Sequence, residues 1–507
     1  MTATATPTRG PRRALILAVV IIPVIAGIVG GRAHTTRAAR VVAATDAAQL
    51  PASGAMSTAW FCPGLPGSFP TADQTLTLSN LGPADADVVV TVQPDDQAPA
   101  IVRSIRVPHD TVSTYSRATL AEVSATPATP ATSRDSAAAK SLPAGPLVVE
   151  SFSPDVVVQA GAESGSALDL VPCADAASAD WYFSAGTTVR GVSQWLVLDD
   201  PYSADARVDV TLRTDTGLQQ LSGLQGIDVP GRSRVVIAMH DQAVRQPRVA
   251  VQVHASVGRV VASQTLQFAA ASGPTGMTST LGALAPASQW WFSDGQVLAG
   301  ASQWVAITNM SEADANVDVL ALIGSKAIVN PVVLTVAPGM VSWVQIGGCA
   351  RLQRGCLQVP ANSDFALEAQ SDKGVPIVAQ TLSRYGRSKT ALGATTSTGG
   401  VVPARDWVIG RTRTAAERAT SISVTNAGGR TAHVSVDIVH AGIVSRPPAL
   451  QGLTVAPNAS LVLPADTAGP THRQDAALVL TSDQPVFAES TIYAQRDATR
   501  VPGIPTR

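Results

Sequence analysis

The phrase Trp181-Tyr182-Phe183-Ser184-x-Gly186, closed by Ser193-Gln194-Trp195, returns as Trp290-Trp291-Phe292-Ser293-x-Gly295, closed by Ser302-Gln303-Trp304. In both copies 14 residues separate the first Trp from the last. A repeat this long at fixed spacing is one structural unit used more than once, which restricts the chain to architectures built by repetition. Trp60-Phe61-Cys62 opens a further copy, and Trp407-Val408-Ile409-Gly410 opens a last, degenerate one. Successive openings lie 121, 109 and 117 residues apart.

Three landmarks keep the four copies in register. Asn80, Asp200, Asn309 and Asn426 each precede an alanine by six residues, at Ala86, Ala206, Ala315 and Ala432. Alternating valines follow, such as Val88 and Val90 or Val434 and Val436. Period-two alternation of β-branched residues after a polar turn predicts a half-buried strand. Each copy then ends a strand at a proline turn, at Pro108, Pro230, Pro338 and Pro457, where a residue without an N–H fits. A late apolar strand closes each unit on a polar residue: Gln159, Gln264, Gln380 or Glu489.

With about six to eight short strands per unit, this profile predicts tandem antiparallel β-sandwiches of immunoglobulin-like type in an all-β chain. The expected units are 59–176, 177–286, 287–403 and 404–507, with a flexible Thr/Pro/Ala insertion at 121–145 in the first. No stretch past residue 45 sustains a helical period. The opening aromatics belong on the first strand, one ring inward and the next outward. Core packing is the expected role of these rings. The alternative is a sugar-stacking platform made by Trp181, Tyr182, Trp290 and Trp291. Val408 and Ile409 replace the aromatic pair in the last copy, which would confine any ring-based binding to the middle units.

Arg9, Arg12 and Arg13 precede an apolar run from Ala14 to Val29. At 1.5 Å per residue such a helix spans roughly 24–27 Å, close to a bilayer core of about 30 Å. The expectation is a cytoplasmic tail at 1–13, a transmembrane signal anchor at 14–31 and a linker at 32–58, giving a single-pass cell-membrane protein with its bulk outside. An exported chain can form disulfides. Cys349 and Cys356 enclose a short loop, whereas Cys62 and Cys173 stand at the start and end of the first unit. Zinc is the weaker reading, because neither pair has Cys-x₂₋₄-Cys spacing or a nearby histidine.

The formal net charge is −1, so no overall field draws the chain to nucleic acid. The seven histidines are scattered, and no metalloprotease, nucleophile-elbow, phosphate-loop or EF-hand motif occurs. The adjacent pair Asp199-Asp200 reads as turn chemistry, since Asn and Asp interchange there. No catalytic residue, metal or cofactor is expected.

The opening Trp-Tyr-Phe-Ser-x-Gly, the Gln194-Trp-Leu-Val-Leu198 strand, the Asn/Asp turn and the late Gln/Glu strand together resemble an uncharacterised family of membrane-anchored or secreted actinobacterial proteins. The resemblance covers about residues 58–500. It implies an N-terminal anchor, sandwich repeats and a cell-envelope setting, with a link to polysaccharide assembly through neighbouring glycosyltransferase genes. The expected molecule is a non-enzymatic envelope scaffold or interaction rod. Its expected partners are the membrane and a membrane glycosyltransferase or envelope glycan. A carbohydrate-binding module and an envelope glycan hydrolase are the rival functions.

Overall fold

The computed structural model describes residues 46–506, apart from stretches at 52–54, 67–72, 124–140, 165–166, 270–274, 325, 328–330, 351–352, 386–392, 414–417, 465–474 and 495–496. The expected anchor at 14–31 lies outside them, as does most of the insertion. Among the described residues no helix is long and apolar enough to cross a membrane.

Each copy of the repeat folds as two facing sheets over its own buried cluster. The opening strands Thr58–Cys62, Asp180–Gly186, Gln289–Phe292 and Ala404–Arg413 lie in the outer sheets. Among the described strands pairing is antiparallel except where Cys356–Leu357 lies parallel to Val341–Ile346, and the isolated bridge between Leu50 and Thr506 is also parallel. The last unit departs from the others. Its strand Asp475–Ala494 runs through both sheets, where the earlier units break into two strands. Among the described residues two short α-helices also appear, Arg117–Glu122 and Met239–Gln242. Both are too short for a helical period to show in sequence, although Ser116 and Thr119 form a reciprocal capping box on the first.

The first tryptophan of each copy points into its sandwich. Its indole N–H donates to a carbonyl on the late strand or just before it: Trp60 to Val156 at 3.1 Å, Trp181 to Val260 at 2.7 Å, Trp290 to Ile377 at 2.9 Å and Trp407 to Val486 at 2.9 Å. The next residue pairs with the chain emerging from the closing strand. Phe61 bonds Ala174, Tyr182 bonds Ala283 and Trp291 bonds Gly400, while Val408 stands opposite Ile504. The degenerate last copy therefore keeps the register without the ring. Both disulfides form, Cys62–Cys173 and Cys349–Cys356. The first fastens an opening strand to the end of its own unit.

The polar turn is a buried clamp. Asn80, Asn309 and Asn426 each donate their amide to a carbonyl four residues on and to the carbonyl ending the neighbouring strand, at Val107, Val336 and Val455. Asp200 takes the same place but has no N–H to give. Its Oδ1 accepts from Tyr202, and its buried Oδ2 has no partner. Burial, partly offset by backbone N–H donors, pushes this carboxyl up from 3.8 to about 6. The folded state then binds the proton more tightly than the unfolded chain. The stability this gives is full below about 3.8 and lost as pH rises through about 6. Replacing Asp200 with Asn supplies the missing donors. It should stabilise the second sandwich by about 1–2 kcal/mol at neutral pH and remove that pH dependence. Denaturant titration of both proteins at pH 4 and pH 7.5 checks this, and an equal effect at the two values would count against the clamp.

The four sandwiches do not extend as a rod. Their closing strands, Ala167–Pro172, Gly276–Leu281, Gly393–Thr398 and Ala498–Pro502, run beside one another in cyclic order, first to second, second to third, third to fourth and fourth to first. The units thus form a closed ring around a central axis. Closure solves an edge problem, because each closing strand is the outermost of its sheet and carries unpaired backbone groups. Side chains of the adjacent closing segment meet them. Leu168 N–H donates to Asp497 at 3.1 Å, Leu170 N–H to Thr499 at 3.0 Å, Ser279 N–H to Asp169 at 3.0 Å and Thr396 N–H to Thr278 at 2.8 Å. A linear array would leave the first and last of these edges open. The spacing of repeats in sequence carries no information on closure, which is why a rod was expected.

Candidate functional site

The late polar residues Gln159, Gln380 and Glu489 mark the seams of the ring. Gln380 Oε1 accepts the backbone N–H groups of Ser184 and Ala185 at 2.7 and 2.9 Å, joining the third unit to the second. Glu489 accepts from the N–H of Asp294 at 2.9 Å, joining the fourth to the third. At the fourth-to-first seam Ser79 donates its hydroxyl to the Gly410 carbonyl. A Cβ at Gly410 would sit 2.8 Å from Val157 and 2.9 Å from Gln159, so a larger residue there would push the two units apart. The first-to-second seam uses Arg234 instead, forked onto Asp95 at 2.7 and 2.8 Å and bonded to the Pro63 carbonyl at 2.7 Å.

The third-to-fourth seam holds the densest charge. The Asp294 carboxyl accepts from Ser423 at 2.9 Å and from Thr491, and lies 3.8 Å from the Arg500 guanidinium. Glu489 also accepts from Ser397 at 2.7 Å. Burial pushes the Glu489 carboxyl up, against the pull of Arg500. Burial opposes the charge of Arg500, but Asp294, Tyr385 and Glu489 outweigh it and raise its pKa. These two carboxyls are the nearest thing to a glycosidase pair. Asp294 is tied to hydroxyl donors and Glu489 to a backbone N–H and a hydroxyl, both within the seam.

Along the axis at one end of the closing strands lies a partly open cavity, with about 90 Å³ available to the centres of water-sized molecules. All four units contribute to it. Pro172, Thr280, Thr398 and Pro502 stand in equivalent positions around it, and Asp46–Ala48 border it. Its aromatic wall is Trp291, Phe487 and Trp407.

The four candidate stacking rings fare differently. Trp181 is 0% exposed and packs in the core of its unit. Trp290 is 2% exposed, buried in its core cluster and bordering the cavity. Tyr182 is half-buried against the third unit. Trp291, 5% exposed, lines the cavity. The structure does not bring these rings together as an open platform. Sequence reasoning missed Trp407 and Phe487, and it placed any ring-based binding in the middle units only. Trp407 was visible as a fold landmark, but nothing local shows that the ring of units turns it toward the axis. Among the described residues no group of three His, Cys, Asp or Glu side chains could hold a metal.

No curated protein matches the chain. Among solved structures, the Anabaena sensory rhodopsin transducer is 26% identical over 18% of this chain and 85% of its own, with a TM-score of 0.16. A Thermotoga maritima protein is 21% identical over 23% of this chain and 94% of its own, with a TM-score of 0.18. The sequence profile of a family of unknown function (DUF5719) matches residues 131–398, more than half of the chain, and the chain belongs to that family.

Proposed function

We propose that this is a non-enzymatic, membrane-anchored protein of the bacterial cell envelope whose ring of sandwiches works outside the cytoplasm as a rigid scaffold and interaction module. The pairing of all four cysteines carries the reading. Disulfides persist in oxidising compartments, and the apolar run at 14–31 behind a cluster of arginines supplies a route there. Seams built from buried hydrogen bonds favour a fixed platform over independently moving modules. A role beside a membrane glycosyltransferase, or in binding an envelope glycan, belongs to the same reading.

Fractionation of cells making the full chain tests it. The intact protein should sediment with membranes, and external protease should reach it in spheroplasts. Recovery of the intact chain, with reduced cysteines, as a soluble cytoplasmic species would overturn the proposal.

A further inference from the structure

The axial cavity is built asymmetrically. On one side Trp291 stacks on Phe487, with ring centroids 5.9 Å apart and planes 20° apart, and Trp407 tilts against the same ring at 6.5 Å. Gly400 makes room for Phe487, since a Cβ there would sit 2.8 Å from the ring. Most polar side chains at the cavity already bond one another or the backbone, such as Thr280 to Thr398 and Glu489 to Ser397, but two oxygen atoms are left over. The Ser293 hydroxyl is buried in a residue 1% exposed and has no partner. Asp46 Oδ2 is likewise shielded and unpartnered.

Charge decides what such a space accepts. Asp46 and Glu489 border it against one cation, Arg500, which Asp294 and Thr381 already engage at 3.8 and 3.0 Å. Burial and the nearby Asp175 push the Asp46 carboxyl up to about 7. A bound cation would relieve both effects, and ring faces attract cations through their quadrupole. An anion would meet a surplus of carboxyl groups. A sugar needs several hydrogen-bonding groups around its rim, and these walls are mainly carbon.

We propose that the axial cavity binds a small organic amine, with its apolar body against Trp291, Phe487 and Trp407 and its ammonium group at Asp46. The site rests on the ring being an interaction module, but not on where the cell places it.

Calorimetric titration of the full chain with benzylamine, benzyl alcohol, benzoate and methyl glucoside tests it. Benzylamine should bind best, benzyl alcohol about tenfold more weakly, and benzoate and methyl glucoside without measurable heat. Asp46→Asn should bring benzylamine down to the affinity of benzyl alcohol and leave benzyl alcohol unchanged. Trp291→Leu should weaken both. Benzoate or methyl glucoside binding as tightly as benzylamine would overturn the assignment. So would a benzylamine affinity indifferent to Asp46→Asn, or no binding by any probe. Such a failure would leave the fractionation result untouched, so the ligand and the envelope setting stand or fall separately.

Discussion

Replacing Trp181 with Ala is expected to destabilise the second sandwich by about 3–5 kcal/mol, the usual cost of truncating a fully buried large aromatic. The ring is wholly enclosed in the core cluster of its unit. Its N–H reaches the carbonyl of Val260 at 2.7 Å, across 79 residues of sequence. Two losses therefore combine, a cavity where the indole sat and a hydrogen bond between the outer sheet and the corner leading to the inner one. Trp181→Phe separates them. It keeps most of the volume and drops the donor, and should cost about 1 kcal/mol beyond any repacking. Chemical denaturation followed by circular dichroism reads both. A Trp181→Ala cost below about 1 kcal/mol would mean the ring does not hold the fold.

The repeated hydrogen bond explains what survives in the degenerate last copy. Trp407 keeps its bond to Val486 although its neighbours have become Val408 and Ile409. The positions that fold the unit were legible because each obeys a local rule: Trp in the core, Asn at the turn, valine on alternate sites, proline after a strand. The cysteine pairs were legible for a similar reason, since Cys62 and Cys173 bracket a unit the spacing had already outlined and Cys349 and Cys356 enclose a short loop. Gln159, Gln380 and Glu489 were visible as a fourth landmark, but their use was not. A glutamine at a strand end looks solvated until another unit covers it. Arg500 and Asp497 were invisible altogether, because no other copy has Arg or Asp at those places and the Asp294 and Leu168 they engage lie in other units. Period, turn and cap are set within about ten residues. Ring closure is set by contacts between segments hundreds of residues apart, such as Leu168 with Asp497.

Closure itself is open to a direct test at Arg411. This arginine lies on the opening strand of the last unit with its side chain only 2% exposed. It pairs with Glu163 of the first unit at 2.9 Å and with Asp475 of its own unit at 3.1 Å. Asp475 in turn accepts a hydrogen bond from Thr114 of the first unit at 2.9 Å, so one cation and one acid bolt the end of the chain to its beginning. Arg411→Met removes the charge but keeps much of the side-chain length, and takes the buried guanidinium away from both carboxyl groups. Breaking a buried pair from one side typically costs about 3–5 kcal/mol, and that loss is expected here. Combining Arg411→Met with Glu163→Gln and Asp475→Asn should recover a large part of it, because the seam then holds no unpaired charge. The location of the damage distinguishes a seam from an ordinary core defect. Hydrogen exchange should accelerate in Ala167–Pro172 and Ala498–Pro502, whose edges meet there, while the strands around Trp181 keep their protection. Loss of protection spread evenly over all four sandwiches would show that the ring opens only by global unfolding. An Arg411→Met cost under about 1 kcal/mol would show that the first and last units are not coupled through this pair.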